Sequence, residues 1–396
     1  MPKDIYMNAG LSLSQDLTAT KGYSKINTTL GVYELEPSQD NQTIITKTIE
    51  NNFKEPWWLN YSNTYSNTYS FGGAANYTAG VVLPNSNVLM IPASSNQDLG
   101  IYDPTANTFS TVGPSVGVNN AFAGGVLAPN GKIILVPSSS PNVGIYDPIT
   151  NTFTQGPAHG GPTGTFVGGV LAPNGKVIFA PRKKTTIGIY DPVSNTYTDG
   201  PVHGQNNNSA YWGAVLAQNG KVVLVPGDSE YVGIYDPIAN TFTQGPAHGE
   251  SGIGTKYTGG VLAPNGKVIL VPRDAEHIGI YDPITNTFTR GPEHGEGFNA
   301  FYGGVLAPNG KVILVPDGRT SPADPSEYIG IYDPIANTYT RGPTHGQTID
   351  SFRGGVLAPN GKVILVPYKS TAVGVYGSEF PLKNSNDTLS PYFNKL

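Results

Sequence analysis

The sequence predicts an all-β chain folded as a seven-bladed β-propeller of four-stranded antiparallel blades, closed by an N-terminal strand. Three observations carry that prediction. A phrase written "GGVLAPNGKVILVP" in its fullest form recurs seven times along the 396 residues. Its turn proline, or the residue in its place, stands at Pro84, Pro129, Pro173, Gln218, Pro264, Pro308 and Pro359, spaced by 45, 44, 45, 46, 44 and 51 residues, the period of propeller blades or paired-helix repeats. Within one period four short runs, such as "YTGGVLAP", "KVILVP", "IGIYDP" and "TFTRGP", are rich in β-branched and aromatic residues, and each ends at Pro or Gly. None is long enough for a helix.

The elements follow in order within each period. The first two runs meet at Asn-Gly, as at Asn265-Gly266, a pair that suits a two-residue hairpin turn in which both central residues take positive φ. The third and fourth meet at "DPITNT" and its relatives, where Asp can hold the turn and Pro presets φ. A lone sheet of this kind exposes its faces, whereas sheets packed around an axis bury them and leave short, protected edges. Residues 41–377 are therefore assigned to the ring, 1–40 to an N-terminal arm and 378–396 to a C-terminal tail. The seventh copy lacks a fourth run, and Thr43 to Ile49 is expected to supply it; in an alternative, residues 31–49 supply both outer strands.

Composition narrows the function classes. The 50 Gly and 34 Pro punctuate the chain as many short strands require. A formal net charge of -5 and no Lys/Arg stripe leave little to neutralise phosphates, so nucleic acid is excluded as a partner. No apolar run reaches 18 residues, so no membrane insertion is expected, and the N-terminus lacks the pattern of a secretory signal. With no Cys there are no disulfides and no thiolate ligands.

The segment "IYDPITNTF", Ile280 to Phe288, with copies at Tyr102, Tyr146, Tyr190, Tyr235 and Tyr332, resembles the kelch family of propellers over roughly residues 71–377. Two departures stand out: Val-Pro replaces the glycine pair after the second strand, and Phe or Tyr, as at Phe153 and Tyr197, replaces the Trp. The resemblance implies a propeller that acts as an interaction module.

Candidate site residues come from positions where the copies disagree. Turns one-to-two and three-to-four share one face of a propeller and are nearly invariant here, whereas the other links vary, so the variable face is the expected binding face. The inner strand carries an aromatic in every copy: Tyr77, Phe122, Phe166, Tyr211, Tyr257, Phe301 and Phe352. The next residue points the other way, toward the channel mouth, and there stand Thr78, Ala123, Val167, Trp212, Thr258, Tyr302 and Arg353. Trp212, Tyr302 and Arg353 offer stacking faces and a charged fork for sugars or carboxylates; channel filling is the plainer reading. Trp57 and Trp58, with Tyr61, Tyr65 and Tyr69, are read as a cover over one end of the ring or a contact patch, in an insertion before the first blade, at 55–73, that is the least repeat-like part of the ring.

The histidines of "GPxHG", at 159, 203, 248, 294 and 345, are spread one per blade and cannot converge on an ion, so a structural bond within each link is expected. The Asp residues before Pro are read as turn holders. No cofactor, metal site or catalytic residue is expected; oxidases of the galactose-oxidase type need a cysteine-modified tyrosine that this chain cannot make. The expected function is a non-catalytic scaffold binding a protein assembly or surface glycan at a virion, tail fibre or cell surface. An intracellular kelch-like module in the cytoplasm follows, and a sugar-processing enzyme comes third. The sequence sets no oligomeric state.

Overall fold

The computed structural model describes residues 61–378, apart from 96, 113–115, 206–208, 253, 318–326, 348 and 349, together with strands at 5–7, 25–28, 31–37 and 44–48. The chain forms two compact units, Met1–Asn60 and Tyr61–Leu396. In the first, Ile5–Met7, Lys25–Thr28, Gly31–Pro37 and Ile44–Thr48 make one sheet in that order, its first pair parallel and the others antiparallel.

The second unit is the expected ring of seven four-stranded antiparallel sheets. The fifth blade serves as pattern: Tyr257–Leu262, Val268–Pro272, His277–Asp282 and Thr287–Glu293, from the axis outward. Inner strands lie side by side around the axis, and the last, Phe352–Leu357, lies beside the first, Tyr77–Val82. Every second strand is buried throughout, because its Val/Ile/Leu run meets a neighbouring sheet on both faces; every outer strand is half in water and is rich in Thr, Ser and other polar residues. Each apolar cluster spans two blades: Val136, Val143 and Ile145 of the second pack on Phe166, Phe179 and Tyr190 of the third. The inner aromatics fill this space, and a glycine in the third strand makes room for each. A Cβ on Gly144, for instance, would stand 2.7 Å from the Phe122 ring.

The invariant turns are joined across blades. Asn174 Nδ2 donates to the Pro237 carbonyl of the next blade at 2.8 Å, and Asn130, Asn219, Asn265 and Asn360 repeat the bond to Pro192, Pro283, Pro334 and Pro104. This corrects the expected turn geometry. Only the glycine takes positive φ, as Gly266 at 79°, while Gly266 N donates to the Ala263 carbonyl and Ala263 N to that of Lys267, both at 2.9 Å. The loop is thus three residues long with a bulge at Gly, which leaves the Asn side chain free to reach the neighbour. Asp282 holds its turn as expected, Oδ1 accepting from Ile284 N at 2.9 Å and Thr285 N at 3.2 Å; these bonds keep its carboxyl below the usual range.

A strand N-terminal to the first blade closes the ring, but not the one expected. Ile44–Thr48 pairs with Gly31–Pro37 in the other unit, and Tyr65–Ser70 pairs with Ala372–Tyr376 to complete the seventh blade. The reason is visible in the chain: Asn63-Thr64-Tyr65 repeats the Asn-Thr-aromatic start of every fourth strand. Tyr376 donates to Asn63 Oδ1 at 3.0 Å, as Tyr146 donates to Asn151 Oδ1 at 2.9 Å. The described part of the segment read as an insertion is therefore in large part blade. Tyr61 packs on Tyr376, Tyr65 on Phe352 and Tyr69 on Phe109.

Candidate functional site

The invariant inner-strand aromatic sets the direction of the residue after it. With Tyr211, Tyr257 and Phe301 fully buried between blades, the following side chains turn to the axis, and all seven, from Thr78 to Arg353, line one cavity of about 550 Å³. Ser138, Thr163, Arg182 and Lys183 also line it, so it opens on the face of the variable links. Its throat is glycine. Gly168 takes φ 73°, and a Cβ there would stand 3.2 Å from the Gly213 Cα; the contact recurs from Gly213 to Gly259 and from Gly303 to Gly354 at 3.2 Å. Backbone packed on backbone narrows the axis, and the side chains gather above it.

The mouth is asymmetric. Toward the first three blades it holds Thr78, Ala123 and Val167. From the third blade onward, Arg182 Cζ lies 4.5 Å from the Trp212 ring centre, Trp212 meets Tyr302 edge-on at 5.9 Å, and Arg353 Cζ lies 5.2 Å from Tyr302 and 3.6 Å from Tyr368. Thus Trp212, Tyr302 and Arg353 come together, as the alternation of the inner strand implied. Trp57 and Trp58 lie outside the described residues.

Sequence reasoning placed the links after each second strand on the variable face but named no site residue in them, and so missed a second tier. The residue after each "VP" or its equivalent varies from blade to blade as Ala93, Ser138, Arg182, Gly227, Arg273, Asp317 and Tyr368, and it stands at or behind the mouth. Gly227 makes room for Trp212, since a Cβ there would fall 2.2 Å from the indole Cδ1. Arg273 Nε donates to Asp317 Oδ2 at 3.3 Å. The signal was the drift immediately after an invariant phrase, on the strand that pairs with the mouth-bearing one: Tyr211 opposes Pro226 and Phe301 opposes Pro316.

Two features give the mouth its chemistry. Of the five described arginines, Arg273, Arg290 and Arg341 pair with Asp317, Glu250 and Glu296. Arg182 and Arg353 have no carboxylate partner among the described residues, and both line the cavity. In addition, Arg182 Nε, Trp212 Nε1, Asp317 Oδ1 and Arg353 Nε are buried without a hydrogen-bond partner, a state that costs about 1–3 kcal/mol per group, more for a charge. Burial pushes the Asp317 carboxyl up to about 6, with Arg273 and Arg353 opposing the rise. Burial likewise raises the Tyr302 hydroxyl, which feels Arg353, Asp317, Arg273 and Arg182. The hydroxyls of Thr78 and Thr258 are committed to main-chain carbonyls.

The repeat histidines lie elsewhere. His159 Nε2 donates to the Ser140 carbonyl at 2.7 Å while its Nδ1 accepts from Gly161 N at 3.1 Å; His203, His248 and His294 repeat both bonds. Each ring is neutral and ties its own link to the second-to-third-strand link of the same blade, a wider reach than the expected bond within one link. None lines the mouth.

No protein-family model matches the chain, kelch models included, and no curated protein matches it. Solved structures do. A catalytically inactive histidine-to-alanine variant of virginiamycin B lyase from Staphylococcus aureus, with Quinupristin, is similar at 10% identity and a TM-score of 0.65, over 80% of this chain and 99% of that one. A streptogramin B lyase is similar at 14% and 0.64, over 81% and 99%. A fungal alcohol oxidase in complex with copper is similar at 17% and 0.60, over 80% and 76%. At such identities the likeness establishes the fold alone. It also corrects the expectation of a non-catalytic scaffold: rings of this form include enzymes, so blade count and closure give no ground for setting catalysis aside.

Proposed function

We propose that the protein is a propeller enzyme and that the channel mouth is its active site, acting by proton transfer on a small polar substrate. The observation that supports this is the gathering of three unpartnered, buried polar atoms, on Arg182, Trp212 and Arg353, around a single cavity, with a fourth, Asp317 Oδ1, on the tier behind the lining. A packed channel plug would satisfy such groups internally, whereas a binding site keeps them for its ligand. In this reading Arg182 and Arg353 hold the substrate's polar group, and Trp212 and Tyr302 wall its body. Asp317, on the tier behind the lining, is assigned the proton: burial pushes its carboxyl up to about 6, within the working range of a general acid or base. No histidine lines the mouth, so the chemistry proposed here differs from that of a lyase inactivated by loss of one histidine. The kelch resemblance of the "YDPITNTF" segment stands as a proposal about the repeat's kinship.

The test is turnover. Wild type and Asp317→Asn are incubated with a pooled library of small carboxylates, esters and sugar acids, and consumption is followed by mass spectrometry. Consumption by wild type that falls at least about a hundredfold in Asp317→Asn, with mouth binding retained, supports the assignment. Equal consumption by both proteins removes Asp317 from the mechanism. A library left untouched by wild type, with no compound bound at the mouth, overturns the reading.

A further inference from the structure

The charge arrangement at the mouth narrows the ligand further, resting on the reading of the mouth as the active site. We infer that the site takes a compact organic dianion, one acidic group at Arg182 and the other at Arg353. Both guanidiniums lie over aromatic rings, 4.5 Å from the centre of Trp212 and 3.6 Å from that of Tyr368. A guanidinium stacked on a ring keeps its N–H edge free for two parallel bonds to a carboxylate or phosphate oxygen pair. Each has its Nε buried and unpartnered, and each lacks a carboxylate partner among the described residues although the chain carries a net charge of -5.

The carboxylates close by do not neutralise these two cations. Asp317 engages Arg273, and Asp350 engages Lys369. Lys183 also lines the cavity, so the mouth concentrates positive charge in a low-dielectric recess, which draws anions in and holds them. Two separate cationic forks, on the third and seventh blades, need two anionic groups; a monoanion satisfies one and leaves the other buried edge unpaired. The rest of the lining joins small apolar groups, Ala79, Ala123, Val167, Ala214 and backbone glycines, to the polar Asn120, Ser138, Ser139 and Thr163. That leaves room for a compact carbon body, and none of these further groups carries a charge.

A matched series of probes tests this, read by calorimetry and by tryptophan fluorescence of the full chain, with Trp212→Leu giving the share that Trp57 and Trp58 contribute. The probes are isophthalate and phthalate with two carboxylates, benzoate with one, benzamide with none, and phenyl phosphate. The dicarboxylates are expected to bind about tenfold or more tighter than benzoate, with benzamide weakest and with affinity falling as salt rises. Arg182→Gln and Arg353→Gln should each remove that advantage, reducing a dicarboxylate to the affinity of benzoate. Phenyl phosphate binding as tightly as the dicarboxylates, and losing affinity in both variants, supports the same pair of forks with a phosphoryl group as the dianion. Benzamide or benzoate binding as tightly as the dicarboxylates, with affinity lost in Trp212→Leu, overturns the dianion and keeps the mouth. Binding unchanged in Arg182→Gln, Arg353→Gln and Trp212→Leu alike overturns both.

Discussion

The glycine throat can be tested by two substitutions that differ in one physical respect. Gly168 and Gly175 share a left-handed backbone, at φ 73° and 79°, so replacing either by Ala carries the same conformational penalty, about 1 kcal/mol. Their surroundings differ. A Cβ on Gly175 meets nothing within 4 Å, whereas one on Gly168 falls 3.2 Å from the Gly213 Cα and 3.9 Å from Ala214 N. Those neighbours are backbone, held on the far side by Gly259 in the same way, and cannot swing aside as a side chain would. Overpacking of this kind adds about 1–3 kcal/mol. Gly168→Ala should therefore cost about 2–4 kcal/mol, and Gly175→Ala about 1. At roughly 2 cal/mol/K per residue over roughly 300 ring residues, 1 kcal/mol moves Tm by about 1.7 °C, so calorimetry should separate the variants by about 1.5–5 °C. Urea unfolding should agree. Equal midpoints for the two variants would refute the argument that backbone contact around the axis, rather than φ alone, demands glycine there.

Other expectations concern charge and inter-blade bonding. Burial lowers the pKa of His159, His203, His248 and His294, so the unfolded chain binds more protons. Their stabilising contribution is complete above about 6.5 and is lost as pH falls below it. Urea midpoints in an Asp317→Asn background should drop between pH 7.5 and 5, and a flat profile would contradict the neutral, doubly bonded rings. For Asp317 the sign reverses. Its folded pKa of about 6 lies above the unfolded 3.8, so the folded state binds more protons and wild type loses stability relative to Asp317→Asn as pH rises from 4 to 7, by about 3 kcal/mol at most. A difference independent of pH would show that the carboxyl is not desolvated. Asn174→Ala removes the 2.8 Å bond to Pro237 and the bond from Lys176 N; a loss of about 1–2 kcal/mol is expected, and wild-type stability would mean that the turns are not joined across blades.

Much of the architecture was readable because its cues are local. A 45-residue period, runs broken by Gly and Pro, and an aromatic with its alternate neighbour each occupy a few consecutive residues. From them followed the seven blades, the invariant and variable faces, and the set from Thr78 to Arg353 that lines the mouth. The closing strand was within reach too: Asn63-Thr64-Tyr65 carries the fourth-strand signature, but it stands some 300 residues from the blade it completes, and the richer "GVYELEP" run drew the assignment away.

Pairing was settled only by the tertiary structure. Whether an arginine is neutralised depends on which carboxylate a neighbouring blade brings within reach, as Asp317 is brought to Arg273 across 44 residues while Arg182 and Arg353 receive none among the described residues. The second tier behind the mouth, the Asn bonds between blades and the burial that lifts Asp317 arise in the same way. Local sequence determined the shape of one blade and its side-chain directions, because those depend on φ, ψ and alternation. The spaces between blades determined the chemistry of the mouth, because charge and hydrogen bonding are properties of groups that meet only after the ring has closed.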